Sequence, residues 1–340
     1  MSKRLLLAVT ALLVLGVAPA RAETVLSTEQ GPFTADAYGD TIAWSSYDPV
    51  TKQYRLRVQR AGVQADPAIP TQPNPFDLDV GPSEDGAPTI VYSRCADPGV
   101  RTVDGFVTRP SSGCDIWRLD PISGIETRVD AASTAAGEET QPSIHRSLIA
   151  FVRTRGGRTR SRSVPHVYAG SLAFGADIVR QPRPPRIASV DGLEQSARGL
   201  FIVWRTRPDF STATLYRVKG RRLQHIFRVG SGGANFGRLL SPSVSGLSVY
   251  FGRTNSGSGV GNSFFRYDLG PRRLRVARGT GRANTLTWRG AAFLIATGSG
   301  DSCAPTMAAP GVSTCRLFLT DPVTFTRPSR VDLSRTRPPR

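Results

Sequence analysis

Beyond residue 22 the apolar residues fall in short runs rather than at helical spacing. Runs rich in Val, Ile, Phe, Tyr and Trp recur between clusters of Gly, Pro, Ser and Asp, which is the pattern of strands joined by turns. Six such runs align on one another: Ile42-Ala43-Trp44, Ile90-Val91-Tyr92, Ile149-Ala150-Phe151, Ile202-Val203-Trp204, Val249-Tyr250-Phe251 and Phe293-Leu294-Ile295. They lie 44 to 59 residues apart. A second strand follows each across a variable polar loop, beginning near Tyr54, Ile116, His166, Leu215, Phe264 and Leu317. Several repeats add a basic edge strand, as at Thr127-Arg128-Val129 or Leu274-Arg275-Val276. Others show a short strand ahead of the first, as at Gln141-Pro142-Ser143-Ile144 and Ser241-Pro242-Ser243-Val244. Four strands at this period predict an all-β fold, a six-bladed β-propeller with about four antiparallel strands per blade. One small sheet cannot bury both of its faces, whereas sheets stacked radially cover each other.

At these residues the chain resembles the bacterial TolB-type propeller repeats. Their units run through a Pro-Ser turn, a strand like Ile-Ala-Phe, a loop, and a strand like Leu-Tyr-x-x-Asp. The matching segments are Pro82-Ser83-Glu84-Asp85-Gly86 with Ile90-Val91-Tyr92-Ser93, Pro142-Ser143 with Ile149-Ala150-Phe151, and Pro242-Ser243 with Val249-Tyr250-Phe251. The resemblance spans roughly residues 31 to 333 and implies fold far better than function. TolB-type proteins carry an α/β domain before the propeller, whereas here the repeats begin about ten residues after residue 22, so their partners are not carried over.

The start of the chain has a different pattern. Lys3 and Arg4 precede a mostly apolar stretch from Leu5 to Val17, followed by Pro19 and Ala20-Arg21-Ala22. This reads as a secretory signal peptide over residues 1–22, and the apolar stretch is too short to span a bilayer. Residues 23–333 are read as one propeller domain and 334–340 as a disordered tail. Ring closure is open at this point, since either Thr24-Val25-Leu26-Ser27 or Arg330-Val331-Asp332-Leu333 is placed to supply the last strand. The expected location is secreted or periplasmic, with no transmembrane segment after cleavage and a monomeric chain.

Export makes the four cysteines disulfide candidates. Four cysteines allow three connectivities. Cys95 and Cys114 flank one long hairpin loop, and Cys303 and Cys315 flank another in the same way. That shared position selects the pairs Cys95 with Cys114 and Cys303 with Cys315.

The 340-residue chain carries a formal charge of +18, and of its 44 basic residues only Lys3, Lys52 and Lys219 are lysines. Arg alternating with apolar residues on outer strands protects exposed sheet edges, which gives much of this excess a structural use. The densest basic run, Arg153, Arg155, Arg158, Arg160 and Arg162, sits on the long loop of the third repeat with Gly156 and Gly157. It is the candidate anion-binding site, suited to gripping phosphate or carboxylate groups. The expected partner is an unknown protein or an anionic envelope polymer, and not nucleic acid, because no aromatics interleave the arginines.

Signs of catalysis are thin. His145, His166 and His225 lack metal-ligand spacing, and no nucleophile elbow or Cys-His pairing occurs. Gly257-Ser258-Gly259-Val260-Gly261 joins two strands rather than a strand to a helix, so it reads as a loop and not a phosphate cradle. Asp77 and Asp79 alternate on one strand face and are read as hydrogen-bonded at a blade entry; Glu138 and Glu139 are read as solvated loop carboxylates. No catalytic residue, metal site or cofactor is assigned. The expectation is a non-catalytic extracytoplasmic binding propeller, the alternative being a polysaccharide-active lyase or hydrolase with its site at the propeller axis.

Overall fold

A computed structural model describes residues 24–30, 33–97, 100–101, 107–109, 112–135, 137–155, 165–173, 176–206, 212–229, 237–239, 242–255, 263–277, 283–289, 292–298 and 315–320. The described chain is built from antiparallel strands. Sheet I orders Ala35–Tyr38, Thr41–Asp48, Gln53–Arg60 and Val63–Ala65; sheet II orders Asp79–Pro82, Pro88–Asp97, Ser112–Leu119 and Glu126–Arg128. Sheet III takes Gly137–His145, Leu148–Arg155, His166–Ser171 and Ile178–Arg180, and sheet IV takes Ile187–Ser196, Gly199–Thr206, Thr212–Lys219 and Arg222–Val229. Sheet V is centred on Ser248–Asn255, Ser263–Asp268 and Arg273–Ala277. Sheet VI joins Ala283–Arg289, Ala292–Gly298 and Cys315–Thr320 to the N-terminal Thr24–Glu29. The fold is an all-β propeller of four-stranded antiparallel blades.

The expected count of six such blades is corrected. Among the described residues four-stranded sheets number five, and sheet V has five strands. Its innermost edge is split in two, Gly237–Leu239 and Ser243–Ser245, both paired to Ser248–Asn255. Pro242 lies at the break and has no N–H to give to the ladder. Sheet III meets the same problem at Pro142 differently, passing it as a register shift between Thr140 and Ser143 within one strand.

Among the described residues, five apolar clusters each straddle two successive sheets, as the radial stacking argument requires. Ala43, Tyr54, Leu56 and Val58 of sheet I meet Phe76, Val80, Ile90 and Tyr92 on the side of sheet II. Ile116 of sheet II meets Ile149 and Phe151 of sheet III. Ala150, Val152 and Val167 pack on Ile202 and Trp204 of sheet IV, and Phe201, Val203 and Phe227 pack on Phe251 and Phe265 of sheet V. Leu317 of sheet VI reaches Ile42 and Trp44 of sheet I. Removing one of the fully buried aromatics at these seams costs about 3 to 5 kcal/mol.

Closure is settled by the N-terminal strand. Thr24–Glu29 runs antiparallel to Cys315–Thr320, with Thr24 opposite Leu319 and Glu29 opposite Cys315. Residues 330–333, the other sequence candidate, lie outside the described residues. Glu29 is 3% exposed and fastens this strand to sheet I, accepting hydrogen bonds from Trp44 Nε1 at 2.9 Å and Ser46 Oγ at 2.8 Å.

The connections sort into two ends. The first-to-second strand turns of sheets I, III, IV, V and VI are residues 39–40, 146–147, 197–198, 246–247 and 290–291. The second-to-third connections at the opposite end are 98–111, 156–165, 207–211, 256–262 and 299–314, apart from the short one in sheet I.

Candidate functional site

At the axis, a chain of side chains links the innermost strands of sheets I to V in succession. Asp36 Oδ2 accepts the amide of Val80 at 2.7 Å, Asp79 Oδ2 that of Ile144 at 2.8 Å, Ser143 Oγ that of Gln195 at 2.7 Å, and Glu194 Oε1 that of Val244 at 3.3 Å. The register is constant: the donor is always the residue after the next acceptor in the belt, as Val80 follows Asp79 and Ile144 follows Ser143. These bonds satisfy inner-strand amides that no further strand covers. Close packing between sheets II and III is enforced at Gly81, where a Cβ would collide with the Ile144 carbonyl.

The belt has unusual electrostatics. Burial raises Asp36 from 3.8 to about 6, opposed by the amides of Val80 and Ala37. Asp79 is pushed well above the ordinary carboxyl range by burial and then by the Asp36 charge. Glu194 is also pushed well above it, by burial and then by Asp79 and Asp36. Three carboxyls converge here with no cation beside them among the described residues, so the protonated forms are favoured. Sequence reading missed Asp36 and Glu194, which sit singly in different repeats. The only available signal was an acid a few residues before a first-to-second strand turn.

Asp77 and Asp79 occupy the hydrogen-bonded blade-entry role expected of them. Asp77 Oδ1 accepts from Ser93 N at 2.9 Å and from the Ser93 hydroxyl, and its Oδ2 accepts from Gln141 N at 2.6 Å. The solvated reading of Glu138 and Glu139 is overturned, because both lie in Gly137–His145. Glu139 is fully buried, binding Arg153 Nε and the Thr134 hydroxyl, and Glu138 accepts the Cys114 amide.

That bond bears on the anion-binding candidate. Arg153 is 2.7 Å from Glu139 Oε1, donates to Ala132 O at 3.1 Å, and lies over the Tyr168 ring at 4.6 Å. Its guanidinium is thus a blade brace rather than a free grip. Arg205 plays the same part in sheet IV, with Nε 2.8 Å from Asp191 Oδ2. Arg155 ends its strand opposite Gly137, and Arg158, Arg160 and Arg162 lie outside the described residues.

Cys95 and Cys114 face each other across paired strands and form a disulfide. They clasp the base of the 98–111 insertion, in which Val100–Arg101 pairs with Val107–Arg109. Cys315 is also disulfide-bonded; its expected partner Cys303 lies outside the described residues, as does the 257–261 loop. His145, His166 and His225 fall on three separate strands. Among the described residues no group of three His, Cys, Asp or Glu is placed to hold a metal ion. A cleft of about 430 Å³ lies on sheet IV, lined by Thr206, Thr214, Tyr216, His225 and Arg228 and by Pro184.

No protein-family model matches the chain, and no curated protein matches it. Solved structures do. The crystal structure of a puromycin hydrolase S511A mutant aligns with a TM-score of 0.51 at 14% identity, over 79% of this chain and 50% of that one. TolB from Acinetobacter baumannii aligns with a TM-score of 0.47 at 14% identity, over 85% of this chain and 68% of that one. The β-propeller domain of the Trilobed protease from Pyrococcus furiosus gives 0.47 at 12% identity, over 85% and 77%. The chain spans only half of the hydrolase, and at these identities the likeness is one of fold.

Proposed function

We propose that the protein is an extracytoplasmic, non-catalytic binding propeller that holds a protein or an anionic cell-envelope component on the end carrying the long second-to-third strand connections. The observation that supports this most is the uneven length of the connections. At one end the second and third strands of sheets II, III and VI are separated by 98–111, 156–165 and 299–314, while the first-to-second strand turns opposite are mostly two residues long. Loops of variable length on a rigid scaffold are the usual carriers of recognition. The Cys95–Cys114 disulfide stiffens the base of one of them and fits an oxidising compartment. In this reading residues 1–22 are a cleaved leader, the chain acts as a monomer, and sheet V stands in the place of a sixth blade. Arg155, Arg158, Arg160 and Arg162 remain the anion-binding candidates, with Arg153 as their brace.

The axial carboxyls are what an enzyme reading would use, as acid and base on a polysaccharide. Against it, Asp36, Asp79 and Glu194 each accept a backbone amide of the neighbouring sheet. The test replaces 98–111 and 156–165 separately by short Gly-Ser turns and measures retention of solubilised envelope fractions on the immobilised protein. Loss of retention in either variant with unchanged melting supports the proposal. Full retention by both, or polysaccharide cleavage that Asp79→Asn abolishes, counts against it.

A further inference from the structure

The end of the ring opposite the long loops carries its own chemistry. Sheet III contributes exposed Arg146 there, and sheet IV contributes Arg198, Lys219, Arg221 and Arg222. Sheet V adds exposed Arg272 and Arg273. The described acids on this sector are Asp177, which is exposed, and Asp268, which is spent on Arg266 and Arg275. Aliphatic side chains stand among the cations, Leu148 at 39% and Leu247 at 56% exposure. Most of these turns are short, and Arg146, Gly246 and Arg272 hold positive φ. Neighbouring turns are tied together, since Arg198 Nε donates to Gly246 O at 3.1 Å and Arg146 N donates to Pro82 O. The surface is therefore rigid and strongly basic, with apolar tips.

A second observation points the same way. Thr24 lies opposite Leu319, at the far end of its strand from Cys315, so the chain enters the ring at this basic end. Before the leader is removed, its apolar stretch Leu5 to Val17 ends seven residues ahead of Thr24 in the sequence, a span of at most roughly 25 Å even when extended, so during export it is this end that faces the membrane.

We propose that the short-turn end of sheets III to V is a docking face for an anionic lipid bilayer, its arginines reading headgroup phosphates while Leu148 and Leu247 enter the acyl boundary. Arginines alone would suit any polyanion. The leucines decide for lipid, because a hydrated polysaccharide gives an aliphatic side chain nothing to bury against, whereas the bilayer interface does. Docked this way, the ring turns its long loops away from the membrane, and the inference stands independently of what those loops bind.

The test uses residues 23–340, since every described strand begins at Thr24 or later. Co-sedimentation is measured with phosphatidylglycerol–phosphatidylcholine vesicles and with phosphatidylcholine alone. Binding to the anionic vesicles only is expected. The triple variant R198S/R221S/R222S should weaken it about a hundredfold, at roughly fivefold per surface cation. Removing equal charge from the 156–165 connection, R158S/R160S/R162S, should change it less than about threefold. L148S/L247S should weaken vesicle binding about tenfold and leave adsorption to alginate unchanged. Equal losses in the two arginine triples, or vesicle binding indifferent to the leucines, would overturn the assignment. A readout that removes no contact is the emission of L247W, which should shift to the blue on adding anionic vesicles, while V50W at the opposite end should not; the reverse would equally overturn it.

Discussion

The two ends of this propeller are made from the same strands and differ in almost everything else. At one end, turns such as Gly39-Asp40, Arg146-Ser147 and Gly246-Leu247 reverse the chain in two residues. At the other, up to sixteen residues, 299–314, separate one strand from the next, and one such connection is clasped by Cys95–Cys114. The strands themselves cannot tolerate such variation, because each buries side chains against the next sheet. Freedom to vary is confined to where a strand leaves the stack, and here it was used chiefly at one end. The short-turn end, denied long loops, offers instead a fixed pattern of charge and apolar tips.

The largest effect is expected where neither end is involved, at ring closure. Glu29→Ala leaves Trp44 Nε1 and Ser46 Oγ without their buried acceptor and loosens the N-terminal strand. A loss of about 3 kcal/mol in urea unfolding is expected, with both ends weakened together. Little change would mean that the strand is not what shuts the ring.

Next comes the brace beneath the long-loop end. Arg153→Ala strands a fully buried Glu139, which typically costs about 3 kcal/mol or more. Arg153→Lys should recover part of this but lose the bidentate reach to Ala132 O. A variant as stable as the parent would return Arg153 to the anion-binding set. Cys95→Ser with Cys114→Ser, which opens a clasp across a 19-residue separation, should cost about 3 kcal/mol in the loop-entropy description. Protease cleavage within 98–111 should then speed up while the short turns stay resistant.

These residues show how far the sequence was legible. Alternating burial along Gln53–Arg60, where Tyr54, Leu56 and Val58 face the seam and Arg55 and Arg57 face out, is readable because one face must be apolar. The cysteine pair was readable because strand feet meet by geometry. Glu139 was not, since Gly-Glu-Glu-Thr has no apolar flank and its partner Arg153 is recognisable only once Glu139↔Arg153 strand pairing is known. The same holds for the axis, where Asp36 meets Val80 and Asp79 meets Ile144. Hydrogen bonds between repeats leave no local trace. The split edge of sheet V was hidden for another reason, in that Ser241-Pro242-Ser243 and Gln141-Pro142-Ser143 look alike yet one breaks the strand and the other shifts its register.

The smallest predicted effect concerns the belt midway between the ends. Asp36 titrates near 3.8 when unfolded and at about 6 in the ring, so the folded state holds the proton more tightly. Its contribution is complete below pH 3.8 and is lost as the pH rises through about 6; Asp79 and Glu194, raised in the same direction, extend that loss to higher pH. Asp36→Asn keeps an oxygen for the Val80 amide but cannot ionise. Relative to the variant, the parent should therefore lose stability between pH 4.5 and 7.5, by about 1 to 2 kcal/mol after allowing for relaxation and water at the axis. Urea midpoints of both proteins at the two pH values measure it. A difference that does not change with pH would mean that the axis is wet enough to hold the charge, and that the belt joins the sheets by amide bonds alone.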